Sequence, residues 1–200
     1  MPFLEAAEMG TKKVITDHST IGMVVTTDGS VTDIPRENYE EAEERVIAEL
    51  KEIGKPFIIL LNTATPYSDG TQALRGELAE KYEVPVMAVN AAQLKAEDIR
   101  KILEEMLYQF PIRELRFFFP GWVETLEPEH WLKSGMVEAL KGVMEKADKL
   151  ADVPEAVEGL AEQEFLKKAY TDHILPGEGA ADIALTFDDG LFYRILSETV

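Results

Sequence analysis

Three short polar loops hold the residues of this chain that are best suited to binding a small molecule. They are Thr27-Asp28-Gly29-Ser30, Asn62-Thr63-Ala64-Thr65 and Asn90-Ala91-Ala92, and each follows a short apolar run. Amide, hydroxyl and carboxylate groups there can donate to and accept from the edge of a planar ring, which is the chemistry of base recognition. The same residue types also suit ordinary strand-to-helix turns, and the sequence leaves both interpretations open.

The elements around these loops predict how they are brought together. Apolar runs typical of buried strands alternate with helical patterns three times before residue 111, which predicts βαβ crossovers around a parallel sheet. Ligands bind beyond the carboxyl ends of such strands, where all three loops are expected. The predicted strands are Thr20–Thr26, Pro56–Asn62 and Val84–Val89; the predicted helices are Met1–His18, Asp33–Gly54, Thr71–Tyr82 and one through Ile99, Ile102, Leu103, Met106 and Phe110.

The second helix of this first domain has two predicted ends and a charged face. Asp33 is predicted to cap the second helix, and Gly54 to end it. Its charged face is predicted to be a solvated surface; that face consists of Glu40, Glu41, Glu43, Glu44, Arg45, Glu49, Lys51 and Glu52. Only three strands are visible, so half of a doubly wound domain is expected to be missing.

After Pro111 the pattern changes and predicts a smaller α+β domain over residues 112–200, following a first domain over residues 1–111. The turn Pro176-Gly177-Glu178-Gly179 predicts a β-hairpin, and Asp188 is a predicted cap for a last helix. The aromatic side chains are predicted to lie in a core, with a protein contact as the alternative; they are Phe117, Phe118, Phe119, Trp122 and Trp131.

The composition excludes several classes of function. The chain carries 38 acidic and 20 basic residues, a net charge of −18, and no cluster of basic residues, so nucleic-acid binding is disfavoured. It has no cysteine, which excludes disulfides and cysteine-ligated zinc. The three histidines lack the spacing of a metal site, and no apolar run reaches the length of a membrane span. No metal-ligating residue is therefore predicted.

The second and third loops lie where P-loop GTPases place their base-reading Asn-Lys-x-Asp sequence and the small polar loop after the next strand. Guanine recognition needs a carboxylate that accepts two ring N–H groups, and Thr65 stands at that position. Thus a base pocket here would not demand guanine. The phosphate-binding sequence Gly-x-x-x-x-Gly-Lys-Ser/Thr does not occur, so this chain alone is not expected to hydrolyse a nucleotide.

Longer stretches point to one family. They are Phe3-Leu4-Glu5-Ala6-Ala7-Glu8-Met9-Gly10-Thr11, His18-Ser19-Thr20-Ile21-Gly22, Thr26-Thr27-Asp28-Gly29, Glu41-Ala42-Glu43-Glu44-Arg45-Val46-Ile47, Gly54-Lys55-Pro56-Phe57-Ile58 and His130-Trp131-Leu132. Together they resemble the stage IV sporulation protein A family, the spore-coat morphogenetic ATPases of endospore-forming bacteria. The resemblance is dense up to about residue 112 and collinear to the end.

The resemblance implies that residues 1–111 are the second half of a P-loop ATPase domain related to translation-factor GTPases, with the catalytic residues upstream, so that no catalytic residue is assigned. It likewise implies that residues 112–200 are the family's middle domain. The nucleotide-contacting candidates carried over are Asn62, Thr63, Thr65, Asn90 and Ala91. ATP and Mg²⁺ are the implied cofactors of the complete protein, and neither is expected to bind this piece alone.

The resemblance also implies a role in assembly. Family members use ATP hydrolysis to polymerise into the basement layer of the spore coat, in the mother-cell cytoplasm at the forespore surface. The implied partners are further copies of the protein, the small amphipathic protein SpoVM and the coat protein SpoVID. The alternatives are a freestanding α/β module that binds a nucleotide or metabolite, and an interaction domain without a ligand. If the chain is a piece of the family's protein, the P-loop strand that would pair with Thr20–Thr26 is missing. That strand is then expected to be an apolar edge that promotes pairing between molecules, unless the first helix or the second domain folds over it.

Overall fold

A computed structural model describes residues 13–198 of the chain. The chain divides into two compact units, Met1–Gln109 and Phe110–Val200. Most of the predicted N-terminal helix lies outside the described residues, and within them residues 13–18 are helical. None of the described helices is both long and apolar enough to span a bilayer.

The first unit is a parallel three-stranded sheet with helices on both faces. In chain order its elements are β1 (Gly22–Thr27), α1 (Glu37–Ile53), β2 (Phe57–Asn62), α2 (Asp69–Tyr82), β3 (Val86–Val89), a 3₁₀ turn (Ala91–Gln93) and α3 (Ala96–Tyr108). The strands lie in the order β1-β2-β3, and β2 pairs with both neighbours in parallel. The predicted alternation of strand and helix is confirmed.

The central strand β2 is buried on both faces, as its unbroken apolar run predicts. Ile59 and Leu61 lie in the core formed with α1 and α2, while Ile58 and Leu60 lie in the core beneath α3. The strand therefore holds the sheet between two apolar layers and sets where its carboxyl end emerges.

The edge strand β1 differs from the prediction, because only one of its faces is buried. Val24 is buried, whereas Met23 and Val25 are 43% and 61% exposed. These two side chains lie opposite Ile58 and Leu60 of β2, on the α3 side of the sheet. No described element of the first unit covers that side of the sheet at β1. An apolar run by itself therefore did not distinguish a strand buried on one face from a strand buried on both.

Helix α1 begins later than predicted and its charged face is not wholly solvated. Arg36, not Asp33, is the residue before its first turn, and Gly54 ends the helix in the left-handed conformation, as predicted. Glu43 is only 5% exposed. It points inward because Arg36 and Tyr82 supply partners for its carboxylate.

Helix α3 buries less of its apolar stripe than the spacing predicts. Ile102 is buried against β2, but Ile99 and Leu103 are about half exposed. No described element of the first unit packs against that side of the helix.

The second unit packs helices against one face of a mixed three-stranded sheet. Its elements are β4 (Glu114–Phe118), α4 (Gly121–Glu124), α5 (Trp131–Lys146), a 3₁₀ turn (Leu150–Asp152), α6 (Val153–Glu158), a 3₁₀ turn (Gly159–Glu162), β5 (Leu166–Leu175), β6 (Ala180–Phe187) and α7 (Asp189–Glu198). The strand order is β4-β6-β5. Strand β6 is parallel to β4 and antiparallel to β5, which confirms the predicted hairpin.

The aromatic residues of this unit divide between core and surface. Phe117, Phe119 and Trp122 pack against the main core, as predicted. Phe118 and Trp131 are 55% and 45% exposed, so the prediction of a core position is wrong for these two. Phe118 alternates with its neighbours along β4 and therefore faces the other side of the sheet.

Candidate functional site

The parallel register of β1, β2 and β3 brings the three predicted loops to one edge of the sheet. Thr27 lies opposite Asn62, and Asn62 lies opposite Val89. The residues that follow these positions therefore emerge side by side, as the sheet geometry predicts.

The first two loops are joined through the carboxylate of Asp28. Its Oδ2 accepts a hydrogen bond of 2.6 Å from the Thr63 hydroxyl, and its Oδ1 accepts from the backbone N–H and hydroxyl of Ser30. The Ser30 hydroxyl oxygen in turn accepts from the backbone N–H of Ala64 at 2.8 Å. Both oxygens of Asp28 are thus engaged in holding the loops together.

These contacts also set the charge state of Asp28. Burial alone raises the pKa of this carboxyl, but hydrogen bonds from Ser30 and Thr63 to the charged form outweigh it and hold the pKa below its usual value. Asp28 is therefore charged at neutral pH, and its carboxylate holds the first two loops together.

The second and third loops are joined by two asparagines. Asn62 Oδ1 accepts from the backbone N–H of Ala91 at 3.0 Å, and Asn90 Oδ1 accepts from the N–H of Ala92 at 3.1 Å. The side chain of Asn90 also reaches the carbonyl oxygen of Ala64. Asn62 thus positions the third loop.

A cleft of about 680 Å³ opens between the second and third loops and the start of α3. Its walls are formed by Ala64, Thr65, Pro66, Tyr67, Ser68, Ala88, Val89, Asn90, Gln93, Leu94, Lys95, Glu97, Asp98 and Lys101. Of the five predicted contact residues, Thr65 and Asn90 line this cleft. Asn62, Thr63 and Ala91 do not, and Thr63 is fully buried beneath it.

Among the lining residues that were not predicted, three stand out as an exposed ring and two cations. Tyr67 is 90% exposed on the loop after Thr65, and Lys95 and Lys101 come from the turn before α3 and its second turn. Both lysines follow the third loop in the sequence, near the start of the predicted helix. That position was the signal in the sequence that could have identified them as cleft residues. Lys101 Nζ lies 3.5 Å from Glu97 Oε1. The two lysines of the lining are matched by two acidic residues, Glu97 and Asp98, so the charges at the cleft balance.

A buried ion pair holds the end of β1, from which the first loop begins. Arg36 donates to both carboxylate oxygens of Glu43 at 2.6 and 2.8 Å, and also to Thr26 Oγ1 and the carbonyl oxygen of Thr27. The hydroxyl of Tyr82 donates to Glu43 at 2.9 Å. This network links α1 and α2 to the end of β1, directly before Asp28.

The cleft offers groups that suit the polar edge of a flat ring. Hydroxyl and amide groups of Thr65 and Asn90 lie at its wall, and Tyr67 adds an exposed ring. Within residues 13–198 no group of three or more acidic or histidine side chains is arranged to hold a metal. Elsewhere, Asp188 accepts from the N–H of Gly190 at 2.8 Å and caps α7, as predicted.

Comparison with protein families matches the whole chain to two domain models. Residues 1–111 match the ATPase domain of stage IV sporulation protein A, and residues 112–200 match its middle domain.

Individual relatives agree over nearly the whole chain. Stage IV sporulation protein A of Clostridioides difficile (strain 630) is 50% identical over 198 residues, which are 99% of this chain and 40% of the relative. The proteins of that name from Bacillus subtilis (strain 168) and Bacillus anthracis are 46% and 44% identical over 200 residues, which are 41% of each relative. The chain therefore spans about two fifths of the relatives' length. No solved structure matches it.

Proposed function

We propose, from the premise that this chain belongs to the stage IV sporulation protein A family, that its first unit supplies the base-binding half of an ATP site. The family's first domain is an ATPase domain, and residues 1–111 correspond to it. The phosphate-binding sequence is absent from these 200 residues. The complete protein therefore hydrolyses ATP with residues outside this sequence, and this piece alone does not.

The observation that carries the proposal is the cleft at the carboxyl edge of the parallel sheet. It lies where open α/β sheets bind nucleotides, and Thr65 and Asn90 stand at its wall. In this role Thr65 and Asn90 contact the base, while Asn62, Thr63 and Ala91 hold the two loops in place. ATP with Mg²⁺ is the proposed cofactor, and its phosphates and metal are held by residues outside this chain.

Thr65 accounts for the choice of adenine over guanine. A single hydroxyl has no negative charge and does not span the two N–H donors on the guanine edge. Guanine bound here would leave a donor without an acceptor, which costs about 1–3 kcal/mol. ATP is therefore preferred without a dedicated contact to adenine.

For the complete protein we propose that ATP hydrolysis drives polymerisation into the basement layer of the spore coat. The site of action is then the mother-cell side of the forespore surface, with SpoVM and SpoVID as partners. The support is membership of a sporulation family that contains an ATPase domain. The second unit, with its separate core, provides a surface for such assembly.

Nucleotide turnover tests the proposal. This chain is expected to show no ATP hydrolysis, whereas a longer chain that also carries the phosphate-binding sequence hydrolyses ATP in preference to GTP. In that longer chain Thr65→Asp restores a carboxylate, and we expect the GTP-to-ATP ratio of kcat/KM to rise about 10–100-fold.

Thr125→Asp is the matched control, because it adds the same charge at an exposed threonine of the second unit. ATP hydrolysis by this chain alone, or an equal response to both substitutions, contradicts the proposal. Tight binding of a nucleotide or metabolite by this chain alone favours a freestanding binding module instead.

A further inference from the structure

The sheet of the second unit has one face that its helices leave open. Ile183 and Leu185 of β6 point into the core, so the alternate residues Asp182, Ala184 and Thr186 face the other way. On this open face Phe118 of β4 and Tyr170 of β5 both lie opposite Ala184. The two residues are 55% and 39% exposed, and they flank the small side chain of Ala184. The face thus carries a shallow apolar strip between two aromatic side chains.

The charge of the second unit is unevenly distributed between its two sides. Residues 119–165, which form the helical layer, contain eleven acidic and four basic residues, a net charge of −7. Residues 110–118 and 166–187, which form the sheet, contain four acidic and four basic residues and are neutral. Two copies of a chain of charge −18 repel each other over most of their surface. The sheet is the side on which that repulsion is smallest.

The charges on the open face are ordered along the strands. Glu114 and Glu178 lie at one end, where both contact the Arg116 guanidinium at 2.9 and 3.0 Å. Lys168 lies at the other end, opposite Thr186, with its ammonium 4.7 Å from the Tyr170 ring centre. The face therefore has an acidic end and a basic end, with the aromatic strip between them.

We propose that this open face is where two copies of the chain meet, related by a twofold axis that runs across the strands. Such an axis reverses the strand direction and places Lys168 of one copy over the hairpin turn of the other, which carries Glu178. It also brings Arg116 of each copy toward Phe118 of the other, an arrangement that favours cation–π contact. The twofold makes the face complementary to itself, as a symmetric dimer requires.

The size of the face sets the strength of the contact. Three strands about 4.8 Å apart bury much less than the roughly 800 Å² per partner of a stable interface. A single contact is therefore weak, and it becomes effective where many copies are aligned in one assembly. The inference rests on the proposed self-assembly for its purpose, and it names the surface that takes part.

Sedimentation of this chain over a wide concentration range tests the contact. We expect a reversible monomer–dimer equilibrium that Phe118→Lys weakens at least 10-fold, because the new charge then faces Arg116 of the other copy and is buried against the aromatic strip. Tyr67→Lys is the matched control, since it also replaces an exposed aromatic residue but lies on the first unit. A wild-type chain that stays monomeric, or equal effects of the two substitutions, overturns the proposal. Circular dichroism checks that each variant is folded.

A charge exchange tests the twofold arrangement directly. Lys168→Glu and Glu178→Lys each place like charges opposite each other in a homodimer, whereas an equimolar mixture restores opposite charges. We expect the mixture to associate more tightly than either variant alone. General repulsion predicts a different order, with the less negative Glu178→Lys variant associating best, and that order overturns the arrangement.

These results are separable from the test of the ATP site. A monomeric chain overturns this contact but leaves nucleotide turnover by the longer chain unaffected. Failure of the turnover test leaves the dimerisation of this chain measurable and its outcome unchanged.

Discussion

At the scale of single residues, Glu43 departs most from what the sequence predicts. Its position four residues before Ile47 and seven before Leu50 places it on the buried side of α1, but a glutamate there is expected to be solvated. It is buried because the bidentate contact with Arg36 and the hydroxyl of Tyr82 satisfy its carboxylate. This network holds the end of β1, so its loss should disturb the Asp28 loop as well.

Replacing Glu43 tests how much this network stabilises the first unit. Glu43→Gln leaves the Arg36 guanidinium without its charged partner in a mostly buried position, and we expect the free energy of unfolding to fall by about 3 kcal/mol. The measurement is urea unfolding at neutral pH. Glu44→Gln is the control: its partner Lys81 is half exposed, so the change should stay within about 1 kcal/mol. Similar losses in both variants contradict this assignment.

The same carboxyl predicts a pH dependence. Burial raises the pKa of Glu43, but hydrogen bonds from Arg36, Thr26 and Tyr82 outweigh it, so the folded-state pKa lies below the usual 4.5. A lowered folded pKa gives stability that is complete above about pH 4.5 and is lost as the pH falls through the folded value. The wild-type chain should therefore lose more stability than Glu43→Gln between neutral pH and pH 3. Parallel stability curves would rule this out.

At the scale of elements, the predicted helix ends at Gly54 and Asp188 are confirmed, whereas the predicted cap at Asp33 is wrong. Gly54 ends α1 with φ of 69° and Asp188 caps α7, and both follow from residue type and position in the sequence. Which sides of α1 and α3 are buried depends on what packs against them. Glu43 and Leu103 therefore differ from the prediction in opposite directions.

Two glycine substitutions should change stability with opposite signs. Gly54→Ala places a side chain in the left-handed conformation and should cost about 1 kcal/mol. Gly76→Ala lies inside α2 with open space at the added Cβ, and should stabilise by about 0.5–1 kcal/mol. Thermal unfolding of both variants measures the difference. Changes of the same sign would refute the role of backbone conformation at these positions.

At the scale of the whole molecule, each unit taken by itself leaves apolar surface uncovered by its described residues. In the first unit this surface lies at β1, where Met23 and Val25 are exposed on the edge strand of the described sheet. An apolar edge promotes strand pairing between molecules. This route differs from the charge-balanced contact proposed for the second unit and should be slow and poorly reversible.

A charge on the edge strand should suppress this route selectively. Val25→Lys is expected to slow time-dependent light scattering of concentrated chain several-fold, because a charged edge resists pairing. Val137→Lys, at a half-exposed valine of α5, adds the same charge away from any strand and serves as control. The reversible dimerisation disrupted by Phe118→Lys should persist in Val25→Lys. An equal effect of both lysine substitutions would exclude the edge as the cause.

The sequence by itself determined the order of strands and helices, the hairpin, the caps at Gly54 and Asp188, and the edge of the sheet where a ligand would bind. These depend on residue type and on spacing over a few positions. Tertiary structure alone decided that Thr65 and Asn90 line the cleft while Thr63 lies beneath it. It also decided that Glu43 is buried and Phe118 exposed. Each of these depends on contacts between segments distant along the chain, such as the bond from Thr63 to Asp28, and no local pattern records which segments meet.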